Sequence, residues 1–135
     1  MYDVFVYGTL KRGFQNHDAG LSDARYIGRY RSVEQFPLIV GGRWFSPCLL
    51  DEPGAGHRVL GEVFRVTADC LGRLDEIESL HLPNGYKRRE IDVAAETGPK
   101  ILQTWVYLKD RHTVEGIHGE PMAEYARDPR YIEKS

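Results

Sequence analysis

The chain has 135 residues, 41% hydrophobic and 28% charged, with a formal net charge of −2 and a pI near 6.2. That length fits one domain (1–135) able to bury a core, and the composition is that of a globular chain rather than a disordered one. So balanced a charge excludes the global basic field that nucleic acid or an anionic membrane would need, and no apolar run approaches the ~20 residues that span a bilayer.

In chain order, Met1 leads straight into a first predicted strand, 3–7, with no basic segment and apolar helix of a signal peptide. A soluble, cytoplasmic protein is expected. Further strands are predicted at 24–30, 38–40, 59–66, 88–93 and 101–108, from β-branched and aromatic content between turn residues. Gly41-Gly42 and 52–56 read as turns, and Gly61 within its strand marks a bulge or a close backbone approach. One helix is predicted over 68–79, capped by Thr67 or Asp69 and stopped before Pro83-Asn84-Gly85. After Gly116 comes a tail, 116–135, with two prolines and a short helical pattern at 122–126. The order of elements does not alternate as a doubly wound fold would. It predicts an α+β domain built on a mainly antiparallel sheet or small barrel.

The predicted helix carries the chemistry. Cys70, Leu71, Leu74 and Ile77 share one arc, Glu78 projects into that arc, and Asp75 sits at its margin, while Arg73, Glu76 and Ser79 point outward. A carboxylate on an apolar face must find donors or shift its pKa upward, and a glutamate poised toward neutrality suits general acid–base work. The pattern also allows Glu78 to bend to water at the helix end, or to pair with Lys87 or Arg88.

Other chemistries find little support. His17, His57, His81, His112 and His118 are scattered without helical metal-site spacing, and no G-x-S-x-G elbow occurs. Cys48 and Cys70 fit neither a disulfide framework nor a metal set, and read as reduced, buried thiols. Lys87-Arg88-Arg89, followed at once by Glu90 and Asp92, reads as a solvated strand edge. The interval Gly8-Thr9-Leu10-Lys11-Arg12-Gly13 is followed by Phe14-Gln15, not by the Lys-Ser/Thr of a phosphate loop. What remains is either an ordinary turn or a small nest of backbone N–H groups able to hold an anion. Lys11 and Arg12 read as its solvated rim.

Two segments taken together carry a family resemblance. Val4-Phe5-Val6-Tyr7-Gly8-Thr9-Leu10-Lys11-Arg12-Gly13, continuing to Asn16-His17, resembles the opening of the γ-glutamylamine cyclotransferases, within the γ-glutamylcyclotransferase-like (AIG2-like) superfamily. Leu74-Asp75-Glu76-Ile77-Glu78, followed by Tyr86-Lys87-Arg88, is similar to the second family signature, in which the final glutamate is catalytic. Phe36-Pro37-Leu38, Pro47-Cys48-Leu49-Leu50, Leu60-Gly61-Glu62-Val63-Phe64 and Trp105-Val106-Tyr107 are intermediate matches, so the similarity covers about 3–108. Arg127-Asp128-Pro129-Arg130 distantly resembles the family's tail.

The resemblance implies a small, mostly antiparallel β-barrel with flanking helices and a metal-free, cofactor-free reaction. The α-amine of a γ-glutamyl compound attacks its own γ-carbonyl, closing 5-oxoproline and releasing an amine. It implies Glu78 as the acid–base, Tyr7, Gly8, Thr9 and Leu10 as the substrate loop, and Tyr86 and Tyr107 as pocket walls. The partner is a small γ-glutamyl molecule, with no nucleic acid and no membrane. A cyclotransferase for γ-glutamyl amino acids or another γ-glutamylated metabolite, and a non-catalytic binding module on the same fold, are the alternatives. Two departures bear on the leaving amine: Cys48 stands where a larger aromatic is expected, and the loop 79–85 is longer and more polar than usual. Thr9 and Lys11-Arg12 differ from the glutathione-specific branch, which reads Tyr-Gly-Ser-Leu.

Overall fold

The first strand, β1 (Tyr2–Val6), ends in Val4, Phe5 and Val6, all buried, so it needs apolar cover on both faces. The computed structural model, which describes residues 1–131, shows how it is covered. After β1 come α1 (His17–Leu21), β2 (Arg25–Phe36), β3 (Leu38–Gly41), β4 (Ser46–Leu49), β5 (His57–Val66), α2 (Ala68–Ile77), β6 (Lys87–Ala95), β7 (Ile101–Leu108), a short 3₁₀ turn (Arg111–Thr113) and β8 (Ile117–Met122). Five strands close into a barrel in the order β1-β5-β2-β6-β7. Its ladders are antiparallel except at the seam, where β1 meets β7 in parallel with Val4 opposite Trp105. Closure gives every barrel strand a partner on each side, with β6 meeting β2 over Val93, Ala94 and Ala95 and β1 meeting β7 at one pair.

Side-chain alternation divides the core. Phe5, Val63, Val93, Val106 and Leu108 belong to one cluster with Tyr7 and Tyr30. Val4, Val6, Phe64, Val66 and Tyr107 belong to a second, with Cys70, Leu71 and Leu74 of α2 and Leu21 of α1. Three of the four residues on the predicted helical arc are therefore buried against strand side chains. Thr67 caps α2, its Oγ1 accepting from Cys70 N–H at 3.1 Å. A three-stranded sheet, β4-β3-β8, is tied to the barrel where Lys109 N–H donates to Leu49 O and Asp51 N–H to Lys109 O, both at 2.9 Å.

All six predicted strands are present, 101–108 with its predicted ends, while α1, β4 and β8 were not anticipated. Gly61 is a close approach: a Cβ there would lie 2.4 Å from Val6 O. The barrel's ladder irregularities fall instead in β2, between Tyr26 and Gly28 and between Arg31 and Gln35, and the smaller sheet has one in β3 between Leu38 and Val40. The helical pattern at 122–126 does not form a helix. Met122 ends β8, and Ala123 O accepts Leu60 N–H at 2.8 Å, so pairing with the barrel outcompetes a single costly helical turn. Residues 132–135 of the predicted tail lie outside the described residues.

One charge reading holds with an addition and one is corrected. Lys87, Arg88 and Arg89 pair with β7 but not with β2, which meets β6 only at Val93, Ala94 and Ala95, so they lie along an open stretch of strand as expected, and acids hold each of them. Lys87 bonds Asp51 and Asp110 at 2.7 Å each, Arg88 bonds Asp75 at 2.7 Å, and Arg89 pairs with Asp51. Lys11 is no rim residue: it is 3% exposed. Its Nζ donates to Tyr125 O at 2.7 Å and lies 4.5 Å from the Phe14 ring centre, which together compensate its burial. Arg12 does stay at the surface, stacked 3.4 Å over the Tyr26 ring. Both cysteines are free and buried, and no helix among the described residues is long and apolar enough to cross a membrane.

Candidate active site

Where β1 ends the chain must turn, and it does so against β4. A Cβ on Gly8 would lie 2.6 Å from Pro47 Cγ, so only glycine lets the loop pass there. Lys11 N–H donates to Gly8 O at 3.1 Å and Asn16 N–H to Thr9 O at 2.8 Å, folding the loop back on itself. Asn16 Nδ2 also donates to Thr9 Oγ1 at 2.9 Å and to Tyr131 Oη at 3.1 Å. The N–H groups of Gly8, Thr9 and Leu10 have no backbone acceptor among the described residues. That is the property an anion-holding nest requires.

The carboxylate is positioned by the end of α2. Glu78 is the C-cap rather than a helical residue, and Ser79 follows in the left-handed region at φ 58°. Ser79 N–H donates to Glu76 O and Leu80 N–H to Asp75 O, both at 3.0 Å, the paired bonds of a Schellman motif. Helix geometry therefore stops two residues before the predicted end. Glu78 N–H donates to Leu74 O at 2.9 Å and Glu78 O accepts Tyr86 N–H at 3.0 Å, fixing the backbone of that residue from both sides.

Three phenols complete the arrangement. Tyr7 Oη donates to Tyr107 O at 2.6 Å, Tyr86 Oη to Pro47 O at 2.8 Å, and Tyr107 Oη to Asp75 Oδ1 at 2.7 Å. Arg88 Nη1 bridges both oxygens of Asp75, at 2.9 and 2.7 Å. Burial pushes the Tyr7 and Tyr86 phenols well above their usual pKa of 10.0, with the charge of Glu78 adding to the rise. Tyr107 rises through burial first, then through its bond to Asp75 and the charges of Asp75 and Glu78. All three stay protonated at neutral pH, and so act as donors rather than bases.

A cavity of about 300 Å³ brings together every residue singled out from the sequence: Tyr7, Gly8, Thr9, Leu10, Glu78, Tyr86 and Tyr107 all line it. Glu78 is the one carboxylate among the described lining residues. Asn16, Ser46, Pro47 and Tyr131 also line it and were not predicted. Asn16 and Pro47 fall inside the quoted motifs, whereas Ser46 and Tyr131 carry no local signal. No group of three potential metal ligands occurs among the described residues.

A closed five-strand barrel with two helices thus carries, in one small cavity, a turn of backbone N–H groups and a single carboxylate among the described lining residues. The family model for "Gamma-glutamyl cyclotransferase, AIG2-like" matches residues 4–127, and the chain belongs to that family. The match runs past the expected limit near 108 into the tail. The gamma-glutamylaminecyclotransferase of Bos taurus is 40% identical over 90% of this chain and 74% of its own length. Its Homo sapiens counterpart is 43% identical over 86% of this chain and 92% of its own length. The crystal structure of an AIG2-like protein from Mus musculus superposes with a TM-score of 0.83, at 34% identity, over 99% of this chain and 97% of that one.

Proposed function

We propose that the protein is a γ-glutamylamine cyclotransferase in which Glu78 is the acid–base and the turn from Tyr7 to Leu10 holds the γ-glutamyl group. The observation that carries the reading is the shared cavity: a carboxylate with a fixed backbone and a loop of N–H groups line the same space. Glu78 accepts a proton from the substrate α-ammonium, and the freed amine attacks the γ-carbonyl carbon. As the new C–N bond forms, the carbonyl oxygen gains negative charge. The N–H groups of the loop hold either this oxyanion or the glutamyl carboxylate, a role worth about 3–4 kcal/mol per donor in comparable sites. Glu78 then returns its proton to the departing nitrogen, the old C–N bond breaks, the ring nitrogen gives up its second proton to the freed carboxylate, and that proton leaves with the amine as its ammonium beside 5-oxoproline. Nucleophile and carbonyl belong to one molecule, so folding the γ-glutamyl arm into the cavity lowers much of the barrier by positioning.

No cofactor enters this scheme, and the protonated phenols of Tyr86 and Tyr107 serve as walls and donors. The two buried free thiols support a reducing, cytoplasmic setting. Replacing Glu78 by Gln keeps the shape and removes the proton carrier. Release of 5-oxoproline from a panel of γ-glutamyl amines and γ-glutamyl amino acids should fall by about 10²–10⁴-fold in Glu78→Gln, while calorimetric binding of 5-oxoproline stays within a few-fold. Turnover close to that of the unaltered protein would remove Glu78 from the mechanism.

A further inference from the structure

Three bonds strap the stretch 125–131 to the loop that follows β1. Lys11 Nζ donates to Tyr125 O at 2.7 Å, Arg127 Nη2 donates to Gly13 O, and Asn16 Nδ2 donates to Tyr131 Oη at 3.1 Å. Tyr131 N–H donates to Asp128 O at 3.1 Å and Asp128 N–H to Tyr125 Oη at 3.3 Å, so the turn before the Tyr131 ring is itself tied down. A phenol from far along the chain thus stands with Thr9 and Asn16 in the wall of the Glu78 cavity.

Where the protons lie decides what that wall can hold. The Asn16 amide has two hydrogens, one given to Thr9 Oγ1 at 2.9 Å and the other to Tyr131 Oη. Both hydroxyls accept from Asn16, and neither donates to any described residue. Each therefore keeps its own proton for a ligand. Tyr7, Tyr86 and Tyr107 are the reverse case: their protons go to Tyr107 O, Pro47 O and Asp75 Oδ1, which leaves only lone pairs.

We infer that Thr9 and Tyr131 hold the α-carboxylate of the γ-glutamyl group through their hydroxyl protons, and that Asn16 is the positioning residue that aims them. The inference rests on the cyclotransferase reading of the cavity. The γ-glutamyl α-carbon carries one carboxylate and one ammonium, and the cavity offers two kinds of group. A carboxylate gains charge-assisted hydrogen bonds where protons are uncommitted. The ammonium belongs beside Glu78, which takes its proton, and the committed phenols offer it lone pairs. In the reversed orientation the carboxylate would meet Glu78, with like charges repelling. Tyr131 is then a specificity-determining residue, favouring γ-glutamyl groups over acyl groups without the carboxylate.

5-Oxoproline and 5-oxoprolinamide test this, because they differ only in that carboxylate and neither carries a leaving amine. By calorimetry the unaltered protein should bind 5-oxoproline about tenfold or more tighter than the amide. In Tyr131→Phe the ratio should fall toward one, since a charged ligand loses more with a proton donor than a neutral one does. In Asn16→Asp a carboxylate takes both hydroxyl protons, and the preference should reverse toward the amide. A Tyr131→Phe protein that binds both ligands more weakly by the same factor, or keeps the original ratio, would overturn the assignment. A protein that releases 5-oxoproline from γ-glutamyl amides yet binds it no better than the amide would overturn the subsite and leave the cyclotransferase reading standing. Neither release nor binding of 5-oxoproline would overturn both.

Discussion

At Gly8 the chain passes so close to Pro47 that a single methyl group becomes a direct test of the loop. The ring atom that a Cβ would meet, at 2.6 Å, cannot swing away as the end of a flexible side chain would. Gly8→Ala should therefore cost about 1–3 kcal/mol of stability, as overpacking does. It should also move the N–H groups of Thr9 and Leu10 relative to Glu78, and misplacements of about 1 Å can cost about 100-fold in rate. A fall in kcat/KM larger than the loss in folded fraction explains, read together with a denaturant titration, is the expected outcome. An unchanged kcat/KM would show that the loop tolerates displacement and does not orient the substrate. Thr9 is held separately: Asn16 ties its hydroxyl to Tyr131, so one side chain joins the loop to the tail.

At the level of elements, the end of α2 does two jobs with one motif: it stops the helix and sets the backbone of Glu78. The left-handed position after a helix normally falls to glycine, and here it is Ser79 at φ 58°. A non-glycine residue held there costs roughly 1–2 kcal/mol. Ser79→Gly should accordingly raise the denaturation midpoint by an amount worth up to about 1 kcal/mol with no change in slope. A lowered midpoint would mean that the serine side chain makes a contact outweighing the strain. This motif also shows what the sequence could and could not convey. The stripe of Cys70, Leu71 and Leu74 and the Thr67 cap are local patterns, and they are legible because helix periodicity is local. The left-handed turn at a serine is not, since only the path of 79–85 back to Tyr86 demands it. Lys11 was misread for a similar reason: a cation in a loop looks solvated until the tail carbonyl of Tyr125 and the Phe14 ring, which are set by tertiary structure, are known. The Gly8 loop and Glu78 each stay ambiguous by residue type alone, a glycine turn and a carboxylate on an apolar arc, and it is the family resemblance that joins them as a pair. Ser46 and Tyr131 are ordinary residues that only folding brings to the cavity.

For the molecule as a whole, the buried phenols set the alkaline limit. Tyr7, Tyr86, Tyr107 and Tyr125 all have pKa values raised above 10.0, with burial the largest cause in each. A folded-state pKa above the unfolded value means that the native state keeps protons the unfolded chain has lost. The contribution is fully present below pH 10 and is lost as pH rises beyond it. Tyrosinate absorbance from these four should therefore appear only above pH 10, together with loss of near-ultraviolet circular dichroism. Smooth independent titration of all the tyrosines in a still-folded protein would contradict their burial. The parallel seam of the barrel, Val4 beside Trp105, has a consequence for how the protein is made. On a ribosome β1 emerges ahead of its seam partner, which follows only after nearly a hundred further residues. Joining them closes a long loop, an entropic cost that makes such pairings slow to form. Tyr7 directly follows β1 and Tyr107 lies on β7, so the same late event that seals the barrel also joins two walls of the cavity. Newly made chains would thus acquire their structure and their chemistry at one moment, and the appearance of activity would serve as a clock for the last step of folding.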